Sequence, residues 1–336
     1  MDVFGHKNQI SFFEKIIKEN KLKGGYILSG PEGVGKLETL KFILMKYVCK
    51  DNVPCFECLM CKRLKSLTIP DINFILPDKI SENLNELYEK KEWTFENLRT
   101  DYFSRELSIG IDTIRKIENE LLVRPIELKK KFYIFLDADL MGREAQNAFL
   151  KILEEPPDFV TYFLITPFPD SLHLTIRSRC IQIPFFNLSL KDFKKYFDGS
   201  KNIYFLYRIS SGSIGKAKRI LKENLLDEYG KFLKEMMRNE EEPYFSYREE
   251  SREFLRDKIF LFGFFLREIT ELKLGNREIF KEHPYPSEID YLNKRIDGYT
   301  LDLLYEKYYK ILEGLKRNIP NYLITYLIDS IRFGLA

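Results

Sequence analysis

Apolar positions along this chain fall into two rhythms, short unbroken runs in the first half and helical spacing in the second. Gly25-Tyr26-Ile27-Leu28-Ser29 reads as a short buried strand, and the segment from Leu37 to Val48 as the helix that follows it. Ile111, Ile114, Ile117 and Leu121 recur at helical spacing and place a helix over 109–122. Phe132-Tyr133-Ile134-Phe135-Leu136 is a second buried strand, ending in Asp137, and Thr161 to Ile165 is a third, ending at Thr166. From about Phe186 onward the pattern is helical throughout, with segments at Leu188 to Asp198, Ile203 to Lys222, Tyr247 to Lys273 and Leu301 to Leu335. Phe254, Ile259, Phe262, Leu266 and Ile269 form an apolar stripe of the kind a helix buries in a core. Between these halves, Glu82 to Tyr102 is polar and charge-rich, interrupted by Leu87, Trp93 and Phe95, and reads as an insertion around 78–105.

The turn between the first strand and its helix carries chemistry. Gly30-Pro31-Glu32-Gly33-Val34-Gly35-Lys36-Leu37 has the glycines and the lysine of a phosphate-binding loop, and it sits between a strand and a helix as such a loop must. The glycines free backbone N–H groups to face phosphate oxygens, and the lysine reaches the outer phosphates. The next position needs a Ser or Thr hydroxyl to ligate Mg²⁺, and Leu37 has none. Candidate nucleotide-binding positions are therefore Gly30, Gly33, Gly35 and Lys36, with a damaged metal site. Downstream of such a loop, a strand that ends in an acid is the expected place for a metal-site carboxylate, which makes Asp137 a candidate.

Composition narrows the class. The 336 residues suffice for two or three domains, and 44% hydrophobic content is ample for their cores. Net charge is only +3, from 54 basic and 51 acidic residues, so any nucleic-acid contact must be local. The longest apolar stretch, Ile259 to Leu266, is far short of the ~20 residues of a membrane span. A soluble cytoplasmic protein without a membrane partner is expected.

Four of the five cysteines, Cys49, Cys55, Cys58 and Cys61, lie between positions 49 and 61. Two overlapping C-x-x-C steps and one upstream thiolate suit a tetrahedral Zn²⁺ site. Four thiolates leave no open position for water, so the expected role is structural.

Farther on stand two further strings, Asn147-Ala148-Phe149-Leu150-Lys151-Ile152-Leu153-Glu154-Glu155-Pro156-Pro157 and Ser178-Arg179-Cys180. With the phosphate loop and the four cysteines inserted after its helix, these resemble the bacterial clamp-loader subunits of the AAA+ superfamily, over roughly residues 1 to 230. The resemblance implies an α/β AAA+ domain with a RecA-like parallel sheet and an inserted zinc module over residues 1–186. A small helical lid over 187–232 and an all-α collar over 233–336 follow. Asn318-Ile319-Pro320-Asn321-Tyr322-Leu323 is similar to the start of the last collar helix.

Within that family the choice lies between the ATP-hydrolysing gamma/tau type and the delta prime type. Counting back from Asn147, Leu136 falls where the family has its metal-binding Asp and Asp137 on its catalytic Glu; read one residue later, Asp137 is the metal-site acid and Ala138 replaces the base. Gly212-Ser213-Ile214-Gly215 aligns with the second sensor string, and Gly215 replaces its arginine. The resemblance thus implies a delta prime stator that holds ATP or ADP weakly, with Thr166 beside the loop. Such a subunit supplies Arg179 in trans to a neighbouring ATPase. The implied partners are gamma/tau and delta subunits and, indirectly, the sliding clamp and primer-template DNA. A gamma/tau-type ATPase and a stand-alone zinc-dependent nucleic-acid binder stay open as alternatives.

Overall fold

The computed structural model describes residues 5–50, 54–77, 108–237 and 252–316. The charged insertion and the Asn318 segment lie outside the described residues. The chain divides into two compact units, Met1–Asp192 and Phe193–Ala336.

In the first unit, α1 (Lys7–Lys18), β1 (Gly24–Ser29), α2 (Lys36–Val48), α3 (Leu59–Lys65) and β2 (Ile72–Ile75) precede α4 (Ile111–Glu120) and β3 (Lys131–Leu136). Then come α5 (Arg143–Glu154), β4 (Val160–Thr166), α6 (Leu174–Arg179) and β5 (Cys180–Pro184). The five strands form one parallel sheet in the order β2-β3-β4-β1-β5. Parallel strands covered on both faces read as unbroken apolar runs, and every residue of β3 and β4 is buried. Alternate side chains supply opposite faces. Phe132, Ile134, Phe163 and Ile165 join Tyr26, Leu40 and Leu44 in one cluster, whereas Tyr133, Phe135, Tyr162 and Leu164 meet Ile114, Phe149 and Ile152 in another.

The anticipated strands and the first helix form within one residue of their expected limits. The helix expected at 109–122 is shorter, because Ile109 bridges to Met141 and Gly110 caps the helix that starts at Ile111. β2 and β5 lack a strong apolar run: β2 has one fully buried position, and β5 is an edge strand with Ile181, Gln182 and Pro184 exposed. Buried Asp71 leads into β2 and accepts the backbone N–H groups of Ile126, Glu127 and Leu128 at 2.9, 2.7 and 2.7 Å. One carboxylate thereby satisfies three donors of the turn that enters β3.

The described residues of the second unit build helices and their connections, with no strand among them. After α7 (Leu190–Tyr196), in which the division falls, come α8 (Ile203–Ser210), α9 (Ile214–Lys222), α10 (Leu225–Met237), α11 (Arg252–Lys273), α12 (Pro286–Arg295) and α13 (Gly298–Lys316). The stretch 203–222 is two helices because Ser211 and Gly212 take positive φ, and the Ser213 hydroxyl then caps α9 by accepting the Lys216 N–H at 3.2 Å. One apolar cluster runs from Phe193 to Ile311 and includes Ile259, Phe262, Leu266 and Ile269 of the stripe. At its centre Glu268, 0% exposed, is bound by Arg208 at 2.9 Å, Tyr229 at 2.7 Å and His283 at 3.2 Å. The Tyr285 N–H donates to Nδ1 of His283, so Nε2 carries the proton toward Glu268. No helix among the described residues is long and apolar enough to cross a membrane.

Candidate functional site

The register pairs Ser29 with Thr166 and Leu136 with Ile165, which sets the carboxyl ends of β1, β4 and β3 side by side. In open parallel sheets, that rim is where ligands bind. Gly30, Gly33 and Gly35 leave β1 with φ of 139°, 70° and 105°. At Gly30 a Cβ would come within 2.1 Å of the Phe185 carbonyl oxygen, so no other residue fits. Lys36 is 6% exposed, and its ammonium donates to the carbonyl oxygens of Gly30 and, at 2.9 Å, Pro31. Leu37 is 7% exposed and packs in the apolar cluster with Leu40 and Leu44.

Two residues that sequence reasoning missed complete this rim. His6 donates from Nε2 to the Val34 carbonyl at 2.7 Å, and its ring meets that of Phe185 at 4.8 Å, so it braces the loop. Burial holds its pKa below the ordinary 6.5. Asp139 follows Asp137, which takes a left-handed backbone (φ 52°) and starts the single turn Ala138–Leu140. That turn brings the Asp139 carboxylate to the Thr166 hydroxyl, which donates to it at 2.6 Å. Burial raises the Asp139 pKa, the bond from Thr166 opposes the rise, and Lys36 and Glu32 are near enough to act on it. Only its position, one short turn beyond the strand, signalled Asp139. Nothing local signalled His6.

Gly30, Gly33, Gly35, Lys36 and Thr166 thus gather at one rim. Arg179 does not join them. It ends α6, and the next residue, Cys180, pairs with Gly25 at the opposite end of β1. Four residues at ~3.3 Å each separate that pairing from Ser29, so Arg179 follows the far edge of the sheet, ~13 Å along the strand direction. Its side chain bonds to the Thr175 carbonyl and Glu154. Gly215 lies in the first turn of α9, in the second unit.

The cysteines form a separate centre. Cys49 terminates α2, Cys58 caps α3, and Cys61 is buried in the first turn of α3. The four Sγ atoms all lie within 4.8 Å of one another; Cys49 and Cys55 are 3.6 Å apart, Cys55 and Cys61 3.9 Å. Zn–S bonds of ~2.3 Å in a tetrahedron require sulfur separations of about 3.8 Å, so this donor set fits the ion. The Cys58 N–H points to Cys55 Sγ at 3.3 Å and the Cys61 N–H to Cys58 Sγ at 3.4 Å, donors that stabilise thiolates. Backbone donation from Cys58 and Glu57 lowers the Cys55 thiol to about 6, whereas burial raises Cys61 to about 12. The fifth cysteine, Cys180, is buried on β5 and packs toward Gly25.

Comparison with known proteins supplies the context. The family model described as DNA polymerase III, delta subunit matches residues 5–189. The chain is similar to the DNA polymerase III subunit delta' of Bacillus subtilis, 31% identical over 171 residues, which are 50% of this chain and 44% of that protein. It is also similar to the tau subunit of the same organism, 29% identical over 187 residues, 55% of this chain and 28% of that protein. The matches therefore span less than half the length of these curated relatives. A solved structure of a gamma subunit-related protein from Thermotoga maritima is 18% identical with a TM-score of 0.47, covering 98% of this chain and 100% of that one. With more than half of its length matched by the family model, the chain belongs to the DNA polymerase III delta-subunit family.

Proposed function

We propose that this chain is a clamp-loader subunit of the delta prime type, a stator that does not hydrolyse ATP and lends Arg179 to the ATP site of a gamma/tau neighbour. In this reading residues 1–186 are an AAA+ domain, 187–232 its lid and 233–336 the collar that joins the gamma/tau and delta subunits. The work is cytoplasmic, on the sliding clamp at primer-template DNA.

One observation carries the reading. Arg179 adjoins the far edge of the sheet from its own phosphate loop, which supports its acting on a phosphate held by another molecule. Phosphoryl transfer depends on positioning and charge neutralisation. The chain's own rim is poor in both respects. Leu37 is committed to the core and the Thr166 hydroxyl is engaged by Asp139; the position that the family resemblance gives to a sensor arginine is Gly215, which has no guanidinium. The loop glycines and Lys36 retain the means to hold ADP or ATP weakly. Zinc, bound by Cys49, Cys55, Cys58 and Cys61, would cross-link the end of α2 to α3 and supply no reaction chemistry.

An arginine finger contributes ~10³–10⁵ in rate where it has been measured. In loaders rebuilt with Arg179→Ala, assembly is expected to persist while DNA- and clamp-stimulated ATPase drops by one site's share. Arg179→Lys keeps the charge but loses the planar fork, and should recover only part. An unchanged rate in an intact complex would overturn the finger assignment. Turnover of the isolated chain at ~1 s⁻¹ or faster would favour a gamma/tau-type ATPase instead.

A further inference from the structure

Arg179 is held from two sides. Its Nη1 donates to the Thr175 carbonyl at 3.1 Å, one turn earlier in α6, and its Nη2 donates to Oε1 of Glu154 at 2.8 Å. Glu154 is the last residue of α5, so the guanidinium is tied both to its own helix and to the end of another. The two side chains are 38% and 52% exposed. An ion pair that open to water adds little to folding stability. What it fixes is the plane of the guanidinium.

An arginine carries five N–H donors in a rigid fork. The two bonds use one hydrogen on each terminal nitrogen and leave three donors in the same plane. Resting on the finger reading above, we propose that Glu154 is a positioning residue for Arg179: it pre-orders the fork so that the remaining donors meet the neighbour's phosphate without first freezing a loose side chain. Catalytic groups gain most when such ordering precedes the encounter. The carboxylate stays bonded while the fork is engaged, because one Nη2 hydrogen suffices for it.

The test uses complete loaders rebuilt with variant chains, reading kcat and KM of stimulated ATPase. Glu154→Ala should lower the contribution of this one site to kcat by a factor between about 3 and the roughly 30 that a fully freed arginine would lose, with KM unchanged. Glu154→Gln retains an acceptor oxygen and should recover part of that loss. Combining Glu154→Ala with Arg179→Ala should be no worse than Arg179→Ala alone, a non-additivity that a merely structural glutamate would not show. If Arg179→Ala lowers the rate and Glu154→Ala leaves it unchanged or raises it, the finger stands and the positioning role falls. Should Arg179→Ala itself change nothing, the finger reading fails first and this inference with it.

Discussion

Leu37 shows how one side chain can serve the fold at the cost of chemistry. It occupies the position at which a phosphate loop needs a hydroxyl, yet its side chain is packed among Leu40, Leu44 and Leu28. We expect Leu37→Thr to lose roughly 2–4 kcal/mol of stability, from the methyl groups removed and the hydroxyl buried in their place. It should gain no ATP turnover, because Asp139 still engages Thr166 and the second acid is still missing. Denaturant unfolding and a turnover assay on the same preparation check both halves, and measurable hydrolysis by the variant would show that Leu37 alone disables the site. The glycines, Lys36 and the four cysteines were legible because their chemistry lies in short spacings. Asp139, His6 and Glu154 were not. Their partners are Thr166, Val34 and Arg179, at separations of 27, 28 and 25 residues that only the tertiary fold closes.

Elements were legible where burial leaves an unbroken apolar run, as in β1, β3 and β4. They were obscure where tertiary contacts do the work. α3 has seven residues, too few to persist alone. It is held by the Cys58 cap, by buried Cys61 and Leu64, and by Arg63, which grips Glu127 with two bonds of 2.5 and 2.9 Å and the Thr68 carbonyl with a third of 2.8 Å. If zinc closes the cysteine set, a strong chelator should remove one equivalent of metal. Amide exchange in 54–66 should then accelerate while the sheet stays protected, because the ion cross-links α2 to α3 and not the strands to each other. Metal analysis and hydrogen exchange before and after chelation read this directly. Zinc content well below one per chain, in protein purified without chelators, would remove the premise.

At the scale of the molecule, the second unit has one core, and that constrains how the chain can be divided. Phe205, Tyr229 and Leu233 share a cluster with Leu255, Phe262 and Phe265, so the helices before and after residue 247 bury each other. The Glu268 network makes the bond stricter. It joins Arg208 of α8, Tyr229 of α10 and His283 beyond α11 around one carboxylate that has no access to water, and Arg208 also reaches Glu271 at 3.1 Å. A buried pair is costly to break one-sidedly, by about 3–5 kcal/mol, because the remaining charge loses its partner inside the protein. Glu268→Ala is therefore expected to unfold the second unit at lower denaturant while the first unit keeps its transition, whereas Tyr229→Phe, which removes one hydrogen bond and no charge, should cost only about 1–2 kcal/mol. The same packing orders two truncations. A chain ending at Asp192 keeps the first unit's sheet and both clusters that cover it. One ending at residue 246 strips Leu255, Phe262, Phe265 and Glu268 from their partners, and exposes Tyr229 and Leu233 together with the Arg208 charge. The shorter chain should thus be monodisperse and unfold in one transition, and the longer one should aggregate or bind a hydrophobic dye. Gel filtration and unfolding of the two fragments decide the point: a well-folded 1–246 chain would mean that α8 to α10 form a core of their own, and that the Glu268 network is an ornament to it.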